Sequence, residues 1–439
     1  MKVDSRAVTY KILFRFEKKD DKIPNIRKLI LSKYPKNNEL RFRSTVLVNE
    51  IVRFRGRLDL MIMLISGKKL NYLNKKVLTI LRIGFYEIIF DPKVPDYAAV
   101  NSCVNLARNF ANKKTIGFTN AVLRNLVRKK NKDNNWYKEL KYKSGWFSIP
   151  AWMEKRWLVN FGKKNLFKLI EFINQPPIIF LRCDSVSISM EKNIRLLEAE
   201  GIETQLFSNN FLMVQSNENK VFSSRLFKNG DISIQSPSTA AIVDCLGIKK
   251  GDVILDVCAA PGTKTLQLAN LVGVDGLIYA SDISSERVFS GKEDEKRHGR
   301  KNIHWSLKDA RKDIYVKADK ILIDAPCSGT GVIGRRPDIR WRRKESDLVK
   351  FAHVQLSMIN NCSKYLKKGG VLVYATCSIE PEENFLVVEQ FLNLNSNFVV
   401  DKIPNNVPKQ WVTDKKTLNI FPHKHGLDGI FAIRMKKIF

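Results

Sequence analysis

The chain has 439 residues, 44% of them hydrophobic and 27% charged, a composition that builds packed domains and a length that suits about three of them. Lys and Arg number 76 against 44 Asp and Glu, and the formal net charge of +32 excludes an acidic, nucleic-acid-mimicking surface while favouring a polyanionic partner, nucleic acid or an anionic membrane. No apolar run approaches the ~18–20 residues of a spanning helix. The opening Met1–Arg6 carries neither the apolar core nor the small-residue cleavage site of a secretory signal, so a cytoplasmic location and no membrane association are expected. The seven cysteines are odd in number and lack zinc-knuckle spacing, and the five histidines do not cluster with them. Reduced thiols and no metal site are the expectation.

Residues 1–130 read as an all-helical domain. Leu47, Ile51, Phe54 and Leu58 recur at helical spacing, as do Leu78, Leu81, Phe85 and Ile88. Pro92 and Pro95 interrupt the pattern before Val100, Val104 and Ala107, and Phe118, Val122 and Leu126 mark a last helix that runs into Arg128-Lys129-Lys130. Residues 128–150 lose periodicity and gain Lys and Asn, as a linker does. A small α+β module is expected over 145–235, with a strand at Ile178–Arg182, a helix at Glu191–Glu200, and a hairpin of Thr204–Phe207 and Phe211–Val214 around Asn209-Asn210. From 236 to 439 short apolar runs alternate with helical stretches: Val253–Val257, Leu277–Ala280, Ile321–Ile323 and Val371–Tyr374. That alternation predicts an α/β, Rossmann-like domain with a parallel sheet covered on both faces.

Within this domain Ile254–Val257 leads through Cys258, Ala259, Ala260, Pro261 and Gly262 to Thr263, Lys264 and Thr265, a strand, a turn of small residues and a helix start. Small residues let the backbone approach a ligand, and the helix N-terminus offers unpaired N–H groups. The spacing matches neither a Walker A loop nor GxGxxG. Asp256, Asp282, Asp309 and Asp324 fall at or near the carboxyl ends of four expected strands, where open α/β sheets bind ligands. Acids in such a crevice suit a ligand with hydroxyls, an amine and a cationic centre, which S-adenosylmethionine combines, and would repel a phosphate-rich cofactor.

Cys327 in Asp324-Ala325-Pro326-Cys327-Ser328-Gly329-Thr330-Gly331 and Cys377 in Tyr374-Ala375-Thr376-Cys377-Ser378 each follow a strand end. Strand ends on one sheet edge converge, so both thiols are expected to face one cleft. Arg335, Arg336, Arg340, Arg342 and Arg343 cluster around Trp341 downstream, either as a solvated basic loop or, as favoured here, as a phosphate clamp with an aromatic for stacking.

The segments LDVCAAPGTKT, DAPCSGTGVIGRRPDIRW and YATCSIEPEEN resemble motifs I, IV and VI of the RNA cytosine-C5 methyltransferases. FTNAVLRNLVR, RRPDIRW and the closing DGIFAIRM are similar to the RsmB (Fmu/Sun) type of bacterial 16S ribosomal RNA methyltransferase, and the helical N-terminus resembles the NusB-like RNA-binding domain. The resemblance implies that Cys377 is the attacking nucleophile, that Cys327 assists product release and that Asp324 contacts the cytosine edge. It also implies that Cys258 through Lys264 wrap the methionine part of S-adenosylmethionine, with Asp282 on the ribose and Asp309 near the adenine. Thr263 stands where the family usually has a second glycine, which bears on cofactor affinity and is compatible with binding if its φ is negative. The chemistry explains the residue type: a thiolate adding to ring carbon 6 of cytosine makes carbon 5 nucleophilic enough to accept a methyl group. The implied protein is a monomeric enzyme acting on 16S ribosomal RNA. A tRNA cytosine methyltransferase and a non-catalytic NusB-like antitermination factor are the competing expectations. A DNA cytosine methyltransferase is disfavoured, because those enzymes attack with a proline–cysteine motif and do not need the second cysteine.

Overall fold

Apolar periodicity in the N-terminal third is realised as helices in the computed structural model, which describes residues 4–18, 21–34, 38–184 and 188–439; Met1–Val3 of the N-terminal reading lie outside these. They are α1 (Ser5–Phe16), α2 (Ile23–Leu31), α3 (Asn38–Arg53), α4 (Arg55–Ser66), α5 (Lys75–Phe90), α6 (Asp96–Phe110), α7 (Lys113–Lys132) and α8 (Ala151–Ile173). Side chains of Asn74 and Asn112 cap α5 and α7 by accepting from Lys76 N and Thr115 N. The stripe Leu47, Ile51, Phe54, Leu58 does not lie on one helix: Phe54 sits between α3 and α4 with φ −95° and ψ 9°, so the chain turns there while all four residues still face the same core. The stretch expected as a linker is also corrected. Trp136, Leu140 and Trp146 are buried in the helical core, with Tyr137 stacked on Trp146, because aromatic side chains can dock an irregular segment that shows no helical period.

The chain divides into two compact units, one of residues 1–174 with 333–343 and one of 175–332 with 344–439. Helix α8, expected in the α+β module, falls in the helical unit. So does the basic segment 333–343, as a chain excursion from the second unit's sequence. Arg340 is fully buried in the helical unit, where its guanidinium donates to Arg53 O (3.2 Å), Ser148 O (3.2 Å), Asn174 Oδ1 (2.6 Å) and Ile173 O (2.7 Å). Arg53, equally buried, donates to Ile173 O (3.1 Å) and Gly334 O (2.8 Å). A planar fork of five donors can satisfy carbonyls at a junction of helix ends in a way a lysine cannot.

The second unit holds two sheets. The smaller is antiparallel, with β1 (Phe180–Cys183), β2 (Thr204–Ser208), β3 (Phe211–Val214) and β4 (Ile232–Ile234) in the order β2-β3-β1-β4. It packs with α9 (Met190–Ala199) over Leu181, Leu197, Ile202, Leu212 and Ile232. The larger sheet is built on five parallel strands in the order β7-β6-β5-β8-β9: β5 (Val253–Val257), β6 (Leu277–Asp282), β7 (Ile303–Leu307), β8 (Ala318–Asp324) and β9 (Leu366–Thr376). Antiparallel strands extend it beyond β9: β12 (Ile430–Lys437) pairs β9, and β10 (Phe398–Val400) and β11 (Thr417–Ile420) pair β12. The sheet is therefore mixed, its central part as expected and its edge not. Alternate residues feed two cores: Leu322, Val371 and Val373 on one face, and Ile321, Ile323, Leu372 and Tyr374 on the other. Strand order reverses between β5 and β8, the switch point outside which such sheets bind ligands. Among the described residues no helix is long and apolar enough to cross a membrane.

Arg340→Ala should remove four buried hydrogen bonds, leaving Ile173 O with Arg53 alone, and cost the helical unit about 3 kcal/mol. Urea unfolding and hydrogen exchange at α3 and α8 would register the loss, whereas the salt dependence of RNA binding should not change. A lower salt slope at unaltered stability would return Arg340 to the role of phosphate contact.

Candidate functional site

At the switch point, β5 ends at Val257 and the backbone turns sharply. Cys258 adopts φ +64°, an uncommon conformation for a residue with a side chain, and Gly262 adopts φ +110°. Ala259 N donates to Ser281 O (2.8 Å) at the end of β6, and Gly262 N to Ala259 O (3.0 Å), which folds Cys258–Gly262 into a tight loop. Helix α10 (Thr263–Val272) starts immediately after, with Gly262 as its cap residue and no side-chain cap bond. Thr263 is the first helical residue, so the substitution at the glycine position is accommodated by a helical, negative φ. Arg182 of β1 donates to Thr263 O (3.2 Å), so the smaller sheet braces this helix start.

The aspartates separate by environment. Asp256 does not line an open crevice: it precedes the last residue of β5, is 1% exposed, and accepts from Thr265 Oγ1 at 2.6 Å on α10. Burial pushes its carboxyl up to about 7, and its Oδ1 has no hydrogen-bond partner. Asp282 closes β6, accepts from Ser284 N (3.0 Å), and has Arg287 Nη1 3.0 Å from its Oδ2. Asp309 lies two residues beyond β7 and is gripped by Arg311, with Nε 2.9 Å from Oδ1 and Nη2 2.6 Å from Oδ2. Those bonds hold its carboxyl down at about 2. Asp324 ends β8, and its Oδ2 meets Lys264 Nζ at 2.6 Å, joining the loop helix to the strand end. Burial disfavours the Lys264 charge, but the Asp324 partner outweighs it and the ammonium is held above its ordinary range.

The two cysteines meet. In β8 and β9, Asp324 is in register with Ala375, and Cys327 and Cys377 follow within a few residues. Their sulfurs are 3.2 Å apart, and both residues are half-buried. The hydrogen bond with Cys377, and then burial, push the Cys327 thiol well up, so Cys327 keeps its proton at neutral pH. Cys258 is also pushed well up by burial, which makes it an inert part of the loop.

A buried polar network beneath the thiols was not anticipated. Ser328 N (2.7 Å) and Gln355 Nε2 (3.2 Å) donate to Glu383 Oε1, while the hydroxyls of Ser328 and Ser378 both donate to Oε2, the latter at 2.7 Å. Burial raises the Glu383 carboxyl above the usual range, and the serine bonds oppose it. Gly331 N donates to Cys377 O (3.0 Å), and Gly429 N to Gly331 O (2.9 Å); a Cβ on Gly331 would fall 2.3 Å from Gly429 O. The repeated Glu and the closing Asp-Gly were visible as motif residues, but no spacing signal links positions 328, 378 and 383.

The phosphate clamp is corrected for three of its members. Arg340 spends its Nη1 and Nη2 donors on internal acceptors, Trp341 Nε1 donates to Val52 O (2.8 Å) with the Arg55 guanidinium 4.9 Å from its ring, and Arg342 pairs with Asp338 at 2.8 Å. A run of arginines reads as solvated or phosphate-binding from sequence, and only the helix-end carbonyls reveal the internal use.

Comparisons with known proteins agree along the chain. The model of a family described as 16S rRNA methyltransferase RsmB/F matches residues 243–436, and that of the NusB family matches residues 3–128. The chain is 31% identical to "Probable ribosomal RNA small subunit methyltransferase B" of Bacillus subtilis (strain 168), over 93% of this chain and 94% of that protein. It is 28% identical to the protein of the same name in Synechocystis sp. (strain ATCC 27184 / PCC 6803 / Kazusa), over 99% and 100%. The solved structure of PH0851 covers 100% of both chains, with a TM-score of 0.79 at 25% identity. NSun6 from Pyrococcus horikoshii, solved with SFG, covers 66% of this chain and 98% of its own, with a TM-score of 0.59 at 23% identity, and shares the fold.

Asp256 yields a pH test. Its carboxyl stands at about 7 in the folded chain against an ordinary 3.8, so the folded state holds a proton that the unfolded chain has released. Its contribution to stability is full below the ordinary value and is lost as pH rises through about 7. Asp256→Asn should remove this slope: between about pH 5 and about pH 8 the wild-type chain should lose on the order of 2 kcal/mol relative to the variant. Denaturant titrations of both proteins at the two pH values check it, and parallel pH dependences would contradict it.

Proposed function

The chain belongs to the 16S rRNA methyltransferase RsmB/F family, and we propose that it methylates carbon 5 of a cytidine in 16S ribosomal RNA through a covalent bond between Cys377 and the pyrimidine ring. S-adenosylmethionine is the methyl donor, supplying an electrophilic methyl on its sulfonium. The loop and helix start around Cys258–Lys264 fit it: small side chains, an uncapped helix N-terminus, and Asp282 at the neighbouring strand end for ribose hydroxyls. In this reading Asp309 lies on the adenine side, and Arg311 must share or release its carboxylate.

The observation that carries the proposal is the contact of the two sulfurs at 3.2 Å, beside the Lys264–Asp324 pair. Cys327 keeps its proton and directs it at Cys377 Sγ, which stabilises a thiolate there. That thiolate adds to ring carbon 6, the negative charge that develops on the ring is met by the Lys264 ammonium, and the Asp324 carboxylate paired with it accepts from the exocyclic amine at the cytosine edge. Once carbon 5 carries the methyl group, its proton leaves and the Cys377–carbon 6 bond breaks. The departing sulfur is received by the same Cys327 S–H. A target base inside folded RNA must be splayed out to reach this pocket.

Cys377→Ala should lower methyl transfer about a thousandfold or more. Cys327→Ala should still attack but release poorly, leaving an RNA–protein adduct that survives a denaturing gel. Labelled methyl transfer to unmodified 16S ribosomal RNA and to tRNA, followed by bisulfite mapping, reads both the substrate and the modified atom. Substantial transfer by Cys377→Ala would refute the covalent route, and transfer to tRNA alone would reassign the substrate.

A further inference from the structure

Each cysteine is followed by a serine, and the two serines turn their hydroxyls to one carboxylate. Ser328 and Ser378 are each 1% exposed, and Glu383 is fully buried. Glu383 takes four donors on two oxygens: the amide and hydroxyl of Ser328, the hydroxyl of Ser378 and the amide of Gln355. Gln355 also donates to Pro326 O (3.0 Å), the residue before Cys327. Asn384 adds two bonds to the Cys377 side, donating to Ser378 O (3.0 Å) and accepting from Thr376 Oγ1 (2.6 Å). The main-chain oxygen of Glu383 accepts from Tyr374 Oη at 2.5 Å on β9.

Only an acceptor-only group can satisfy four converging donors, and a glutamine amide would aim N–H groups at one pair of them. The donors that meet Glu383 carry no charge, so its burial is not offset by an ion pair, and replacing the whole cluster, donors included, by apolar side chains would be at least as stabilising. What the carboxylate provides is a fixed distance between the two loops at the serines that directly follow the cysteines, while Gly331 N on Cys377 O and Ile379 N on Thr330 Oγ1 (3.1 Å) join the loops further along.

We propose that Glu383 is a positioning residue of the reaction: by holding Ser328 and Ser378 on one carboxylate it sets the separation of the Cys327 and Cys377 sulfurs, and with it the rate of release of the methylated base. This rests on the covalent reading above. In the release step the carbon 5–hydrogen bond breaks, with the proton passing to solvent water. Its electron pair forms the carbon 5–carbon 6 double bond, and the carbon 6–sulfur bond breaks with its pair going to Cys377. Cys327 assists only if its S–H reaches that sulfur. The S–H contact assists attack but attack proceeds without it, as expected of Cys327→Ala, whereas release requires it, so loosening the clamp retards release more than it retards addition.

The test uses the full chain, unmodified 16S ribosomal RNA and labelled S-adenosylmethionine. Glu383→Gln should lower kcat about tenfold or more while KM for S-adenosylmethionine stays within about twofold, and a covalent RNA adduct should accumulate on denaturing gels. The adduct should vanish in Glu383→Gln combined with Cys377→Ala. Ser378→Ala, which removes one bond and keeps the carboxylate, should move the same quantities in the same direction by less, and it carries the same test if the glutamine variant does not fold. Wild-type turnover in these variants, or a fall in rate with no adduct, would overturn the positioning role. Methyl transfer that survives Cys377→Ala would instead overturn the covalent reading on which the role depends.

Discussion

The parallel pairing of β8 with β9 is the constraint on which the rest of the site depends. Two strands far apart in sequence run side by side with Asp324 opposite Ala375, and both must end at the same edge of the sheet. Everything chemical follows from the short segments that leave those ends. The loop after β8 brings Asp324 to Lys264 and Cys327 to Cys377, and the loop after β9 supplies the second sulfur and returns through Glu383. Parallel strands cannot be joined by a tight turn, so helix α11 (Ser346–Cys362) makes the crossover, and it contributes Gln355 to the same carboxylate.

A chain with a charge of +32 invites the view that its arginines are there for phosphate. Some are spent inside. Arg53 and Arg340 serve as multi-donor rivets for helix-end carbonyls in the helical unit, and Arg182 does similar work between the small sheet and the start of α10. The excess that remains on the surface still draws the chain toward a polyanion, but counting basic residues in a motif overstates how many can touch one.

Sequence legibility followed the range of the interactions involved. Strands β5, β6, β8 and β9, the hairpin of β2 and β3, and the long helices α5 to α7 were readable because alternation and helical period are local. The meeting of the two cysteines was readable because both follow strand ends on one edge of the sheet, which converge. The turn at Phe54 escaped because its stripe of apolar residues continues across it, and Trp136–Trp146 escaped because docking by aromatic rings leaves no period. The burial of 333–343 in the helical unit and the convergence of Ser328, Ser378 and Glu383 are contacts between distant positions, and a single sequence carries no mark of them.

The acids of the crevice show how one residue type is made to do several things by its surroundings. Asp309, held down by Arg311 at the rim, stays charged across the working pH range. Asp256, buried behind the loop and bonded to Thr265, is raised to about 7 and braces strand β5 against α10 as a hydrogen-bonding group. Asp324 is partly exposed and tied to an ammonium that cannot leave without stranding a charge. A sulfonium approaching this crevice therefore meets fixed negative charge at its edges and an acid behind its loop that is only partly ionised near neutral pH. Attraction for a cation and a tight turn of small residues can then coexist, with the negative charge buried beneath the turn reduced by partial protonation of Asp256.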